Sequence, residues 1–443
     1  MMTFEELNLT EPLIRALDEL GYTTPTTIQQ NVFSVVMSGR DVCGLAQTGT
    51  GKTLAYLLPC LRQLQFSKEK LPQLLIIVPT RELVVQVLET VNQLAAYMNL
   101  VAVGVYGGVN LKPQVAQVQQ GMDVLVATPG RLVDLLSNGV LKTKAIKKLV
   151  IDEIDEMLNL GFRTQLKIIL DSLPPKRQNL LFSATLTSDV EQLIETFFTN
   201  PVRVEAAPVG TPLENIAQTA YKVPNFYTKI NLLEHLLAQD ATMIKVLVFA
   251  ATKSLANQLQ EQLESKFPGR VGVIHSNKAQ NQRFEAVELF KAGTYQILVA
   301  TDLISRGIDI AGVSHVLNFD MPDLPENYIH RIGRTGRADQ AGVAISFITE
   351  ADQEKQATIE ALMNYAIPVL PLPLGLAISD VLTEDEKPKV YMKTIDVKVP
   401  KREEVGPAFH EKLDKNKKVN VRRDHAAEKM RKYGRPIKRS GKK

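Results

Sequence analysis

Cysteine is nearly missing from this chain: two residues, Cys43 and Cys60, in 443. Two thiols cannot build a disulfide framework or a four-ligand zinc site, and their scarcity fits a reducing compartment. Long apolar runs are missing too. No uncharged stretch approaches the roughly 18 residues that a membrane-crossing helix needs, so no membrane role is expected. The opening Met1-Met2-Thr3-Phe4-Glu5-Glu6 has neither a basic nor an apolar segment, so no secretory leader is expected. What is present, 45% hydrophobic and 23% charged residues, excludes whole-chain disorder and collagen-like order. At roughly 150 residues per domain, the length implies two or three domains.

Charge is placed unevenly. Residues 387–443 hold 20 Lys and Arg against 7 Asp and Glu, a net of +13, while residues 1–386 hold 32 against 41. A mildly acidic body with a basic tail suggests contact with a polyanion; a solubilising tail is the alternative reading of charge alone. Along the body, short apolar runs alternate with longer amphipathic ones. The runs are 74–78, 123–127 and 149–151, then 245–249, 271–274, 296–300 and 315–318. Nearly all-apolar strands separated by helices predict α/β halves, each a parallel sheet covered by helices on both faces. The Pro- and Gly-bearing stretch around Pro208, Gly210 and Pro212 reads as a linker. The expected division is 1–206, a linker at 207–213, a second domain at 214–373, and a basic tail at 374–443, mostly without fixed structure.

The first chemical signal is Ala46-Gln47-Thr48-Gly49-Thr50-Gly51-Lys52-Thr53, between an apolar stretch and a helical one. Strand, glycine-rich turn and helix are the setting of a phosphate-binding loop. Glycines let backbone N–H groups curl around phosphate oxygens, and a helix N-terminus adds positive character. Lys52 can reach the outer phosphates, and the Thr53 hydroxyl can ligate Mg²⁺. The second signal is Asp152-Glu153-Ile154-Asp155 after an apolar strand. Asp152 suits the metal, and Glu153 suits the general base that activates water. The third is His330-Arg331-Ile332-Gly333-Arg334-Thr335-Gly336-Arg337. Arginines spaced by three can present guanidinium forks to a phosphate, and their distance in sequence from Lys52 makes hydrolysis conditional on two domains closing.

In this order, the residues resemble a DEAD-box RNA helicase of superfamily 2 over about residues 1–370. The resemblance implies two tandem RecA-like domains that use ATP and Mg²⁺ to open RNA duplexes locally. Phe4 and the segment with Tyr22, Thr24 and Gln29 resemble the Q-motif, in which Gln29 would read adenine and Tyr22 would stack on it. Ala46 is this family's residue at the start of the phosphate loop. Pro79-Thr80-Arg81-Glu82-Leu83, Gly107-Gly108 and Thr128-Pro129-Gly130-Arg131 resemble its RNA-contacting motifs. Ser183-Ala184-Thr185 resembles the motif that couples ATP to strand separation, with Asp155 and His330 in the same coupling set. In the second half, Phe249, Arg283, Thr301 and Asp302 fall in motifs implied to touch RNA. Gly307 and Asp309 would reach the nucleotide, and Arg334 and Arg337 would be the arginine fingers. The sequence departs from the family pattern at Ile154, where alanine is usual, and at His275-Ser276-Asn277. The Phe4 spacing and compact body are similar to the bacterial RhlE-type subgroup. The implied partners are RNA, largely without sequence preference, and ribosomal or RNA-degradation proteins. A cytoplasmic monomer is expected. A DNA-directed motor and a catalytically silent RNA clamp are the competing readings. Cys43, Cys60, His235, His275 and His315 read as structural.

Overall fold

A computed structural model describes residues 2–46, 50–205, 215–302, 312–336, 341–384, 386–387 and 425–434. Within the compact unit Met1–Lys387 lie two sheets of seven strands. The first contains β1 (Val42–Leu45), β2 (Leu74–Ile77), β3 (Ala102–Val105), β4 (Val124–Ala127), β5 (Lys148–Ile151), β6 (Gln178–Ser183) and β7 (Val202–Glu205), ordered β3-β4-β2-β5-β6-β1-β7. The second contains β8 (Ile216–Lys222), β9 (Val246–Phe249), β10 (Val271–Ile274), β11 (Ile297–Ala300), β12 (His315–Asn318), β13 (Gly342–Ile348) and β14 (Val369–Leu370), ordered β10-β11-β9-β12-β13-β8-β14. Every pairing is parallel. Counted from the first strand of each lobe, the two orders are the same.

The all-apolar strand runs have a physical reason. Alternate residues point to opposite faces, and here both faces are buried. Leu74 and Ile76 pack into one core while Leu75 and Ile77 pack into the other. In the second lobe Val246 and Val248 divide from Leu247 and Phe249 in the same way. Each such side chain contributes about 1.5–3 kcal/mol. All seven runs named from sequence are strands. Strands β3, β6, β7, β8, β13 and β14 were not named; β8, for example, alternates buried and exposed residues instead of running apolar.

One boundary is corrected. Residues from 374 onward were assigned to the tail, but those up to Lys387 belong to the second lobe. Leu376 packs against its core. Asn225, which caps the helix Phe226–Gln239 through Thr228 N (3.0 Å), also donates from Nδ2 to Ser379 O. Ser379 N donates to Thr228 Oγ1 at 3.0 Å, and Phe226 N donates to Glu386 Oε1 at 2.6 Å. The segment thus closes the amides left open at a helix start. The expected linker, 207–213, lies outside the described residues. In the unit from Pro388 on, the described residues include one helix, His425–Tyr433. A chain ending after Lys387 should unfold at the temperature of the full chain. One ending after Pro373 should lose about 2–4 kcal/mol from Leu376 burial and the lost hydrogen bonds. Equal midpoints in thermal unfolding would contradict this.

Candidate active site

Because all strands of a sheet are parallel, their C-terminal ends share one edge, where open α/β sheets place their sites. Strand order divides that edge in two. The phosphate loop, the acidic tetrad and Ser183–Thr185 follow β1, β5 and β6, which are neighbours. Pro79–Arg81, Gly107-Gly108 and Thr128–Arg131 follow β2, β3 and β4, also neighbours. The second lobe repeats the division: Phe249, His275 to Arg283 and Thr301-Asp302 follow β9, β10 and β11, while His330–Arg334 follow β12.

In the first of these halves, Gly51 caps the helix Lys52–Arg62 at φ +87, a conformation glycine adopts without strain. Lys52 is buried, and among the described residues its Nζ has no hydrogen-bond partner. A buried ammonium without a partner, at a helix start, fits a phosphate group. Gln29 accepts from Thr26 N (2.9 Å) and donates to Gly51 O (3.2 Å), while Thr26 Oγ1 donates to Thr50 O at 2.9 Å. The Q-motif is therefore laced to the phosphate loop. Tyr22 is 46% exposed, with its ring free to stack, and Thr24 is exposed. Phe4 is buried and packs into the first-lobe core. Gln47, Thr48, Gly49, Gly307, Asp309 and Arg337 lie outside the described residues.

Asp152 Oδ1 accepts from Glu153 N (2.9 Å), and Tyr56 OH donates to Oδ2 (3.1 Å). Burial raises the Asp152 pKa, against the pull of Lys52. Burial also pushes Glu153 up to about 7, opposed by the charges of Lys52 and, from the second lobe, Arg334. Glu153 sits at φ 53, ψ 51, a left-handed conformation rare for a side chain of its kind. Such strain gathers at reactive positions. Asp152 and Thr53 supply the oxygen donors a Mg²⁺ ion takes. Among the described residues no group of three His, Cys, Asp or Glu could hold a metal alone.

In the other half, Thr80 Oγ1 accepts from Leu83 N (3.3 Å) to start the helix Arg81–Leu94, and Pro129 begins the helix Pro129–Ser137. Two helix N-termini therefore open on neighbouring strands, ready for anions. Gly108 is at φ +80, and a Cβ there would lie 2.9 Å from Arg81 Nη1. Arg131 is engaged within its own lobe. It is buried, donating to Gln114 Oε1 (2.7 Å) and Val109 O (2.8 Å), and so braces the Gly107-Gly108 loop, whose Gly107 N donates to Thr128 Oγ1 at 3.3 Å.

The lobes meet in both halves. Asp155 Oδ2 accepts from Ala184 N (3.1 Å), Thr185 N (3.0 Å) and Thr185 Oγ1 (3.0 Å), and lies 3.8 Å from His330 Nε2 of the second lobe. Burial alone would raise the Asp155 pKa, but His330 and Lys52 outweigh it and hold it low. Ser183 completes the cluster by donating to Thr185 O at 2.6 Å. On the other side, buried Glu82 pairs with buried Arg283, and Gln280 Nε2 donates to Glu82 Oε1 at 3.1 Å.

Residues 26–193 match the family described as DEAD/DEAH box helicase, and residues 228–339 match the helicase conserved C-terminal domain. The chain is 37% identical over 374 residues to "ATP-dependent RNA helicase DbpA" of Bacillus subtilis (strain 168), covering 84% of this chain and 77% of that protein. It is 39% identical over 351 residues to "DEAD-box ATP-dependent RNA helicase CshA" of Geobacillus kaustophilus (strain HTA426), covering 79% and 74%. The chain belongs to the DEAD-box ATP-dependent RNA helicases. Its structure is similar to that of S. cerevisiae Dbp5 bound to RNA and ADP BeF3, with TM-score 0.76, 29% identity, and coverage of 84% of this chain and 96% of that one.

In this helicase several residues expected to touch RNA also have partners within the protein. Arg283 is taken by Glu82. Asp302 is held by Arg331, whose Nη2 donates to Oδ2 at 2.8 Å. Phe249 is fully buried beneath the Arg331 guanidinium, 4.9 Å from its ring. Sequence reasoning missed Glu82, Gln280, Arg331 and Tyr56. Glu82 stood inside a quoted motif beside Arg81, the one adjacent opposite charge that could have signalled it; Arg331 stood inside a quoted motif with no acidic neighbour, and Gln280 and Tyr56 had no local signal. Ile154 is fully buried in the first-lobe core, which accommodates its bulk. The His275 turn is held by Asn257 Oδ1 on Nε2 (2.9 Å), and burial keeps the imidazole pKa low.

Glu153 gives a testable consequence without nucleotide. A carboxyl whose pKa rises on folding adds stability below its unfolded value, near 4.5, and loses it as pH climbs through about 7. Above that, burying the charge costs on the order of 3 kcal/mol. Glu153→Gln should therefore raise the unfolding midpoint at pH 8 and leave it nearly unchanged at pH 5. A shift equal at both pH values would contradict the assignment.

Proposed function

We propose that the nucleotide half hydrolyses ATP only when both lobes are in contact, and that the RNA half turns this into local strand opening. The observation that supports the reading is the pair of inter-lobe contacts, Asp155–His330 and Glu82–Arg283, on lobes of the same strand order. Lys52 neutralises the outer phosphates. Gln29, with one amide N–H and one lone pair still unspent, reads the adenine edge, and Tyr22 stacks on it. Thr53 and Asp152 would hold Mg²⁺, which would offset the negative charge of the phosphates. Glu153 takes the proton of the attacking water, and its poise near neutrality suits that task. Arg334 and Arg337 stabilise the charge developing on the transferred phosphoryl group.

RNA phosphates lie on the helix starts at Arg81 and Pro129 and on the Gly107-Gly108 loop. Backbone contact of this kind carries no sequence information, which supports action on many RNAs. Contacts to the 2′-hydroxyl supply the preference for RNA over DNA. Within the family, the Phe4 spacing and compact body support the RhlE-type placement. The basic tail, at +13, tethers RNA to an acidic body. A cytoplasmic monomer that meets ribosomal or degradation proteins through shared RNA fits these features.

Two substitutions test the reading. Glu153→Gln should retain ATP binding and lower kcat by about 10²–10⁴-fold. Arg334→Ala should abolish RNA stimulation, about 10³-fold in kcat, while leaving nucleotide affinity far less changed. Near-wild-type turnover in the first, or retained stimulation in the second, would sink it.

A further inference from the structure

The edge of the first sheet opposite the catalytic one carries a cation cluster for which the helicase reaction has no use. The loops entering β2, β4 and β5, which are adjacent, surround a cleft of about 580 Å³. Leu71, Met122 and Leu141 line its depth, and Lys68, Lys70 and Lys142 stand around it, all three exposed. Glu69 is the one carboxylate in the lining, and Lys144 neutralises it at 3.0 Å. The three lysines carry no ion pair or side-chain hydrogen bond among the described residues. This charge runs against the background, because residues 1–386 have more acidic than basic residues.

The cleft is held in shape by its backbone. Lys70 adopts φ 47, left-handed and uncommon for lysine. Its carbonyl accepts from Met122 N at 3.1 Å. Gly121, at φ +91, faces it so closely that a Cβ would lie 2.6 Å from Lys70 Cβ. Strain retained in this way points to use. Two residues before Lys68 in the chain, Phe66 is 79% exposed, the most exposed aromatic ring among the described residues. Point charges beside a bare aromatic ring are what a single nucleic-acid strand takes: phosphates on the ammonium groups, a base on the ring.

We propose that this face is a second RNA-binding surface, engaging a strand that overhangs the helicase cleft. The proposal rests on the RNA helicase reading above. In the full chain, Phe66→Ala/Lys68→Gln/Lys142→Gln should be compared with wild type on two single-stranded RNAs, a short poly(U) that fills only the cleft and a long poly(U). With the long RNA, the apparent KM in the ATPase assay should rise about 10-fold on loss of one stacked base. The log–log salt slope should fall by about 1.4, about 0.7 for each of two lost phosphate contacts. With the short RNA, KM and kcat should not change. Wild-type KM and salt slope on the long RNA would overturn the proposal and leave the face to an acidic protein segment. Equal losses on both RNAs would also overturn it, because the residues would then act at the cleft. If short RNA fails to stimulate wild type, the helicase reading falls and this proposal with it.

Discussion

One carboxylate oxygen, Asp155 Oδ2, ties the two lobes to the chemistry. It takes two backbone amides and the hydroxyl of Thr185 from its own lobe and faces His330 from the other. A buried acceptor so fully engaged is expensive to move. Whatever displaces the second lobe therefore disturbs the segment Ser183–Thr185, and the acidic tetrad with it. Arg334 lies four residues from His330 and lends its charge to Glu153. The base and the finger thus share one joint.

The Glu82–Arg283 pair does for the RNA half what Asp155 does for the nucleotide half. Both partners are buried, so each compensates the other's lost hydration, and removing either leaves a stranded charge. Glu82 follows Arg81, which spans the glycine loop at Gly108. An RNA phosphate arriving there meets elements already fixed by the inter-lobe pair. On the proposed function, this would link RNA binding to lobe contact, and lobe contact to catalysis.

Much of this was legible in the sequence, for identifiable reasons. Lys52, Asp152 and Glu153 sit where a strand ends, and apolar runs mark strand ends well when both sheet faces are buried. The doubling of the fold showed in the second series of such runs. Side-chain partners did not show. Arg131, Arg283 and Asp302 have the residue types of RNA ligands, but a guanidinium paired with a carboxylate 201 residues away looks the same in sequence as one facing a phosphate. Phe4 and Phe249 read as ligand aromatics for the same reason, and the cores claimed both. The tail boundary was placed too early because 374–387 lacks helix and strand periodicity. It is held instead by single hydrogen bonds to a helix start.

The central claim is that a contact in the RNA half governs catalysis in the nucleotide half. The direct measurement is a double-mutant cycle on RNA-stimulated kcat at saturating ATP and RNA, using Glu82→Gln, Arg283→Gln and the pair together. Neither residue is in the nucleotide half. Each single change should lower kcat about 10- to 100-fold, and the double variant should be no worse than the weaker single one, because the same joint is lost. Losses that multiply in the double variant, or single variants with wild-type kcat, would contradict it.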